Sequence, residues 1–308
     1  MTTTPIPDQD QAAPAPLPPA KTPRVRSAAL RTLLRNRLAA VALGVLALMV
    51  FAAVFAPLLA PHDPAAQNLL VRLKPPAWQE GGSTSHPLGT DQLGRDLLSR
   101  VIYGSRISLL VGVGAALLAG VAGAACGLFA GYRGGRFDRI LMRAADIQLA
   151  FPSLLLALAI VGFLGSGLWN VVLVLGFTGW VSYARVVRAE VLSLRSRDYI
   201  TQARATGVRD LTILRRHLLP NVMAPLATIG TLHIAAAIVA EASLSYLGLG
   251  VPKETVTWGA MLADGQLYLG TAWWIAVFPG LALMLTSLSI NITGDALRDV
   301  ADPKAYRR

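Results

Sequence analysis

The sequence predicts an all-α, polytopic membrane bundle of six helices, on three observations: long runs without charge, a lopsided distribution of Lys and Arg, and a composition too apolar for water. Of 308 residues, 54% are hydrophobic and 15% charged, with a mean hydropathy of +0.53, against roughly one quarter charged in soluble domains. A bilayer core ~30 Å thick takes about 20 apolar residues in a helix. Residues 38–61, 107–132, 147–184, 217–240 and 265–294 contain no Asp, Glu, Lys or Arg. The run 147–184 is long enough for two spans, and the turn-forming stretch around Gly162, Gly165 and Gly167 divides it as a helical hairpin. Five runs therefore give six spans.

Residues 1–37 read as a cytoplasmic tail. Its first part, 1–23, is rich in Pro, Ala and Thr without apolar periodicity, the composition of a disordered segment. From 24 to 37, Arg alternates with Leu30, Leu33 and Leu34, which fits an amphipathic helix on the membrane surface or a simple basic flank. The run 38–61 exceeds the apolar core of a cleaved signal peptide and precedes further spans, so it reads as a retained first helix. Residues 62–106, punctuated by Pro64, Pro75, Pro76, Gly81, Gly82, Pro87 and Gly89, read as an extracytoplasmic loop. Within it, Gly89, Gly94, Asp91, Arg95 and Asp96 suit a folded turn with local ion pairs. The other five helices fall in 107–296, and 297–308 forms a cytoplasmic C-terminus.

Span two carries Gly123, Gly127 and Gly131 at four-residue spacing. Such a face lets helix backbones approach closely; packing within the chain's own bundle and contact with a second membrane subunit both satisfy it. Cys126 is the only cysteine and sits in an apolar run, so no disulfide framework, metal cluster or redox pair is expected and it reads as a small packing residue.

Orientation follows from charge. Segments 1–37, 133–146, 185–222 and 297–308 hold 22 of the 28 Lys and Arg. Basic flanks stay cytoplasmic, so both termini are expected inside. The net charge of +11 then belongs to a positive-inside protein beside anionic membrane lipid, not to a nucleic-acid binder.

Catalytic chemistry is absent. The lysines are Lys21, Lys74, Lys253 and Lys304, and only Lys21 precedes Ser or Thr, with Ala20 before it, so no phosphate-binding loop exists. His62, His86, His217 and His233 are too far apart for a helical zinc motif, and no G-x-S-x-G surrounds a serine. The expected list of catalytic, cofactor and metal residues is empty. Ionisable residues inside spans mark ion pathways. Here Glu241, with His233 two helical turns earlier, is the candidate pair; it lines a pathway, or Glu241 pairs near the interface and His233 is an interior residue.

Residues 185–221 leave the membrane and return, with eight arginines and a helical pattern of Ile200, Ala203, Val208, Leu211 and Leu214. Gly207 and Pro220 read as breaks bracketing a short second helix. The stretch DYITQARATG at 198–207, with Leu219 and Pro220, resembles the EAA motif of bacterial ABC importer permeases. The resemblance implies a coupling loop for an ATPase subunit, formed by Asp198, Tyr199, Thr201, Gln202, Ala203, Arg204, Ala205, Gly207, His217, Leu219 and Pro220. Thr201 stands where the family has glutamate and Gln202 where it has alanine.

HPLGTDQLGRD at 86–96 running on to Ser108, residues 146–152, EASLSYLGLG at 241–250 and residues 291–303 resemble one branch, the dipeptide, oligopeptide and nickel permeases, specifically the C-type subunit. That resemblance implies a type I ABC importer permease fold in the bacterial inner membrane, a heterodimer with a homologous second permease, and two ABC ATPase subunits that bind ATP and Mg, this chain binding no cofactor. It also implies a solute-binding protein near the outer loop at His86, Gly89, Asp91, Gly94, Arg95 and Asp96, with short peptides or nickel as cargo. The rival is an ion-coupled secondary transporter, which would want more charge within the spans.

Overall fold

The computed structural model describes residues 36–252 and 254–301; the tail 1–23 and nearly all of the basic flank lie outside the described residues, as do 302–308. Helix α1 (Arg37–Val54) starts at Asn36, whose side-chain oxygen accepts from the Leu38 N–H at 3.1 Å. Its 18 residues reach about 27 Å, close to the thickness of a bilayer core. A single turn, α2 (Ala56–Leu59), finishes this segment. After the loop comes α3 (Leu97–Arg133), 37 residues or about 55 Å, so it projects beyond the hydrocarbon layer. It starts ahead of the charge-free run because the Asp96 carboxylate caps it through the Ser99 N–H.

Gly134 and Gly135, at φ +64° and +69°, turn the chain from α3 into α4 (Gly135–Leu149). Next is α5 (Ser153–Leu164), bent by 91° from α4 at Phe151 and Pro152. Proline lacks the N–H that would continue α4 and disfavours helical geometry at the residue before it. The expected third span is therefore not one straight helix. Its residues 147–149 belong to α4, and α5 alone, with 12 residues, is too short to cross. Among the described residues five helices are long and apolar enough to span, and six spans result if the bent pair α4 and α5 counts as one. The hairpin turn falls where the glycines suggested: Gly165 takes φ +86°, and Asn170 donates to the Leu164 and Gly165 carbonyls at 3.2 and 3.1 Å.

Beyond it lie α6 (Leu168–Arg195), α7 (Asp198–Ala205), the single turn α8 (Asp210–Ile213), α9 (Leu219–Tyr246), α10 (Trp258–Gly265) and α11 (Trp274–Ala301). Three apolar clusters succeed one another along the bundle. Leu97, Ile238, Trp258, Met261, Trp274 and Ile275 pack at the outer-loop end; Val111, Val161, Val171, Leu175 and Leu244 form the second; Val187, Val191, Leu194, Ile200, Ile213 and Leu218 gather at the arginine-rich end.

The axis of the bundle is the pairing of α3 with α6. Lipid tails are as apolar as leucine, so helices in a membrane gain little from hydrophobic exclusion and associate by close packing. The glycine stripe provides it inside this chain. A Cβ on Gly127 would lie 2.5 Å from the Ala184 carbonyl oxygen, and one on Gly131 2.8 Å from the Val191 Cβ. Large apolar side chains such as Leu117, Val121, Phe163 and Phe177 point outward instead.

Gly127→Leu is expected to lower stability by about 1–3 kcal/mol through overpacking, whereas Gly44→Leu, where an added Cβ meets nothing within 4 Å, leaves it unchanged. Thermal unfolding of the detergent-purified protein compares the two; equal melting temperatures would refute a close α3–α6 seam.

Candidate functional site

Three features occupy the two ends and one face of the bundle. At the end where α3 begins, the loop 62–96 is held by buried charge. Asp91 accepts from the Leu93 and Arg95 backbone N–H groups at 2.9 and 3.0 Å, receives Arg95 Nε at 2.6 Å and faces Arg100 Nε at 3.5 Å. Both Asp91 and Arg100 are buried. Arg95 reaches across to Asp264 of α10 at 3.3 Å, and the Trp274 indole donates to the Thr90 carbonyl at 3.1 Å. Gly89 and Gly94 take φ +84° and +72°, the left-handed turns that their position in the sequence suggested.

His86 Nδ1 lies 2.9 Å from Asp96 Oδ1, and His62 Nδ1 lies 3.8 Å from the same oxygen. Two histidines too far apart in sequence for a helical motif are thus neighbours in space. The signal was invisible because positions 62, 86 and 96 are joined only by the fold of an irregular loop.

At the opposite end, α7 closes with Gly207 at φ +78°. Val208 N–H donates to the Ala203 carbonyl and Gly207 N–H to that of Arg204, both at 3.0 Å, the paired bonds of a Schellman cap. Ile200, Ile213, Leu214 and Leu218 bury against Val187, Val191 and Leu194 of α6. Tyr132, at the last turn of α3, donates to Asp210 at 2.5 Å while the Arg204 guanidinium stacks 4.6 Å over its ring. Asp198, Tyr199, Thr201, Gln202, Arg204, Ala205 and Gly207 form an exposed surface, with Ala203 half-buried behind it.

Two expectations for this loop change. Pro220 does not break the helix. Residues Leu214–Leu218 form a π turn that runs straight into α9, with Leu219 N–H donating to the Leu214 carbonyl. Widening the turn removes the clash between the proline ring and the Arg216 carbonyl four residues back, and Asn221 Nδ2 donates to the His217 carbonyl at 2.5 Å. Leu211, part of the expected helical pattern, is 59% exposed. The stripe continues through Ile213 and Leu214 instead, leaving Leu211 beside Arg215 and Arg216 on the outer surface.

Along one face, α1, α3, α9 and α11 enclose a groove of about 1000 Å3, apolar along most of its wall, with Tyr103, Arg106 and Glu254 among its polar lining. A second recess of about 520 Å3, between α3 and α9, shares Val113 and Ile234 with it and continues to Leu219. Neither Glu241 nor His233 lines either recess. Glu241 is fully buried, accepting from Ser245 Oγ at 2.7 Å and Ser108 Oγ at 3.3 Å; it ties α9 to α3. His233 packs on Gly179 and lies 5.2 Å, ring to ring, from Tyr183. The pathway expectation for this pair is replaced by an interior packing role.

Long apolar helices, one exposed arginine-rich loop at one end and one long groove along a face define a membrane transport subunit. The chain belongs to the family of binding-protein-dependent transport system inner membrane components, whose model matches residues 123–306; the model of the N-terminal TM domain of oligopeptide transport permease C matches residues 26–76. It is 47% identical over 257 residues to the di/tripeptide transport system permease protein DppC of Pseudomonas aeruginosa, covering 83% of this chain and 85% of that one. It is 44% identical to the dipeptide permease DppC of Escherichia coli K12, over 88% and 90% of the two chains, and 40% to the oligopeptide permease OppC of Bacillus subtilis, over 87% and 86%. Among solved structures, a chain of the inward-facing MetNI methionine ABC transporter superposes with a TM-score of 0.54 at 19% identity, over 67% of this chain and 98% of that one. The fold is that of a type I ABC importer permease.

Asp91→Ala strands the buried Arg100, and breaking a buried pair costs roughly 3–5 kcal/mol. Asp264→Ala removes a carboxylate that is 42% exposed, worth at most about 1 kcal/mol. Chemical or thermal unfolding in detergent should separate the two variants widely; similar losses would overturn the ranking.

Proposed function

We propose that this chain is one half of the translocation pathway of an ABC importer for short peptides, driven by ATPase subunits that dock on α7 and α8. The observation that carries the reading is the loop's construction: a surface fixed by the Gly207 cap and the Tyr132 anchor, joined without a break to the spanning helix α9. A rigid element of this kind transmits displacement, which a flexible connection would absorb. Alternating access then becomes a rocking of helices about the groove.

The arginine-rich end is assigned to the cytoplasm by the positive-inside rule. ATP and Mg belong to two separate ATPase subunits, a homologous permease closes the groove from the other side, and a solute-binding protein delivers cargo to the outer loop. Peptide cargo is supported by the relatives named above, which are di/tripeptide, dipeptide and oligopeptide permeases; they give nickel no comparable support. In the groove, Arg106 and Glu254 offer opposite charges to a zwitterionic peptide. The family match favours this reading over an ion-coupled carrier, whose intramembrane charge would have to come from Glu241, and that residue is sealed in a hydrogen-bonded interior.

Leu211→Asp tests the docking surface without touching the core. An apolar anchor at the centre of an interface carries about 2 kcal/mol, roughly 30-fold in affinity. The variant is expected to insert normally, co-purify less ATPase and import labelled dipeptide slowly. Wild-type uptake and wild-type ATPase recovery together would sink the proposed docking site.

A further inference from the structure

We propose that His62, His86 and Asp96 form a site for a divalent transition-metal ion of the zinc class, at the end of the bundle opposite the arginine-rich loop. The three residues come from separate stretches of chain: His62 follows the turn α2, His86 lies in the middle of the outer loop, and Asp96 caps α3. One ligand atom from each falls within a sphere where all lie inside 4.8 Å of one another. Zinc binds imidazole nitrogen at about 2.0–2.1 Å and carboxylate oxygen at about 2.0–2.2 Å, so ligand atoms on a tetrahedron stand about 3.3 Å apart. The two His–Asp separations, 2.9 and 3.8 Å, bracket that value.

The site is built and supported. Asp96 divides its carboxylate: Oδ2 accepts from the Ser99 N–H and Oγ at 2.8 and 2.7 Å, which fixes the group and leaves Oδ1 for the ion. Ser99 Oγ in turn accepts from the His62 backbone N–H at 3.1 Å, holding His62 over the same capping turn. The His62 and His86 rings lie 4.7 Å apart, tilted by 33°.

A hydrogen-bonded cap alone accounts for His86 and Asp96 but not for His62. Its Nδ1 is buried and has no hydrogen-bond partner, an arrangement that a metal bond would satisfy. The carboxylate is fully enclosed and His86 nearly so, while the His62 side chain is 39% exposed, which opens the cluster to solvent on one side. Two imidazoles and one carboxylate suit zinc and its borderline neighbours; calcium and magnesium want six or more oxygen ligands. Three protein ligands leave a fourth position for water or a group brought by a partner. Filled, the site would clamp the end of the first span to the cap of α3.

The test uses the full chain assembled with its partner subunits in lipid nanodiscs, purified without a polyhistidine tag and stripped with chelator. Cobalt(II) serves as the probe, because tetrahedral nitrogen–oxygen coordination gives it a strong visible absorption that zinc then quenches by displacement. The wild type should take up about one more cobalt per copy of this chain than His62→Ala, with affinity falling about 100-fold or more on loss of a ligand, since even second-shell changes cost 10–100-fold. His62→Ala deletes a side chain with no hydrogen bond to lose, so the variant keeps its fold; size-exclusion of the assembled complex verifies that. His86→Gln should lose the absorption while retaining a donor to Asp96, and His217→Ala, at the other end of the molecule, should keep it. Identical cobalt uptake in wild type and His62→Ala, or no tetrahedral spectrum in the wild type, would overturn the proposal and leave the trio as a helix cap.

Discussion

The close approach of α3 to α6 is the constraint on which the rest depends. Without a hydrophobic force to gather helices in lipid, the bundle needs backbones that touch, and Gly123, Gly127 and Gly131 supply them on a single face. That seam sets the axial position of both helices. It brings Tyr132, at the end of α3, level with the loop that follows α6, and it fixes Asp96, at the start of α3, against the outer loop. Both ends of the molecule inherit their geometry from one stripe of small residues.

The two ends are then locked by different physics. At the outer-loop end, charge is buried: Asp91 sits between Arg95 and Arg100, and its remaining oxygen is occupied by backbone N–H groups. Such an arrangement tolerates little displacement, because moving one partner leaves another charge without compensation. At the arginine-rich end, the loop is held by apolar packing of Ile200, Ile213 and Leu218, by the Tyr132–Asp210 hydrogen bond, and by ion pairs of Arg185 with Asp146 and Arg188 with Asp138. Packed side chains resist small shifts yet slide as a unit between arrangements.

Much of this was legible in the sequence. Five charge-free runs located the spans, because a bilayer demands about 20 apolar residues whatever the tertiary context, and Gly207 announced a left-handed turn that the Schellman cap uses. What escaped depended on how segments meet. Pro220 looked like a stop signal, but a π turn absorbs its ring and the helix continues. Leu211 fitted a helical stripe that in fact shifts toward Ile213 and Leu214. Phe151 and Pro152 bent an apolar run that carried no charge to betray the corner. Glu241 drew notice as a lone charge in a span, and only Ser108 and Ser245 around it show that it stitches α9 to α3. His62 and His86 escaped as a cluster because spacing reports on helices, while these residues meet through an irregular loop.

The π turn changes how motion in the docking loop must be distributed. A loop bounded by two breaks can swing while its spans stay still; a loop joined to α9 through continuous hydrogen bonds cannot. Displacement of α7 and α8 therefore becomes rotation or translation of α9 itself. Its far half holds Glu241, bonded to Ser108 of α3, and Ile238, packed in the outer-loop cluster with Trp258. Between these fixed points α9 carries Pro225, which removes an internal hydrogen bond and gives the helix one place to bend. Met223 before Pro225 and Leu226, Ala227, Gly230 and Ile234 after it all line the inner recess, and Thr231 and Ile234 also line the larger groove. A helix bonded through its outer half to α3 and able to bend at Pro225 couples any movement of its inner end to both recesses at once.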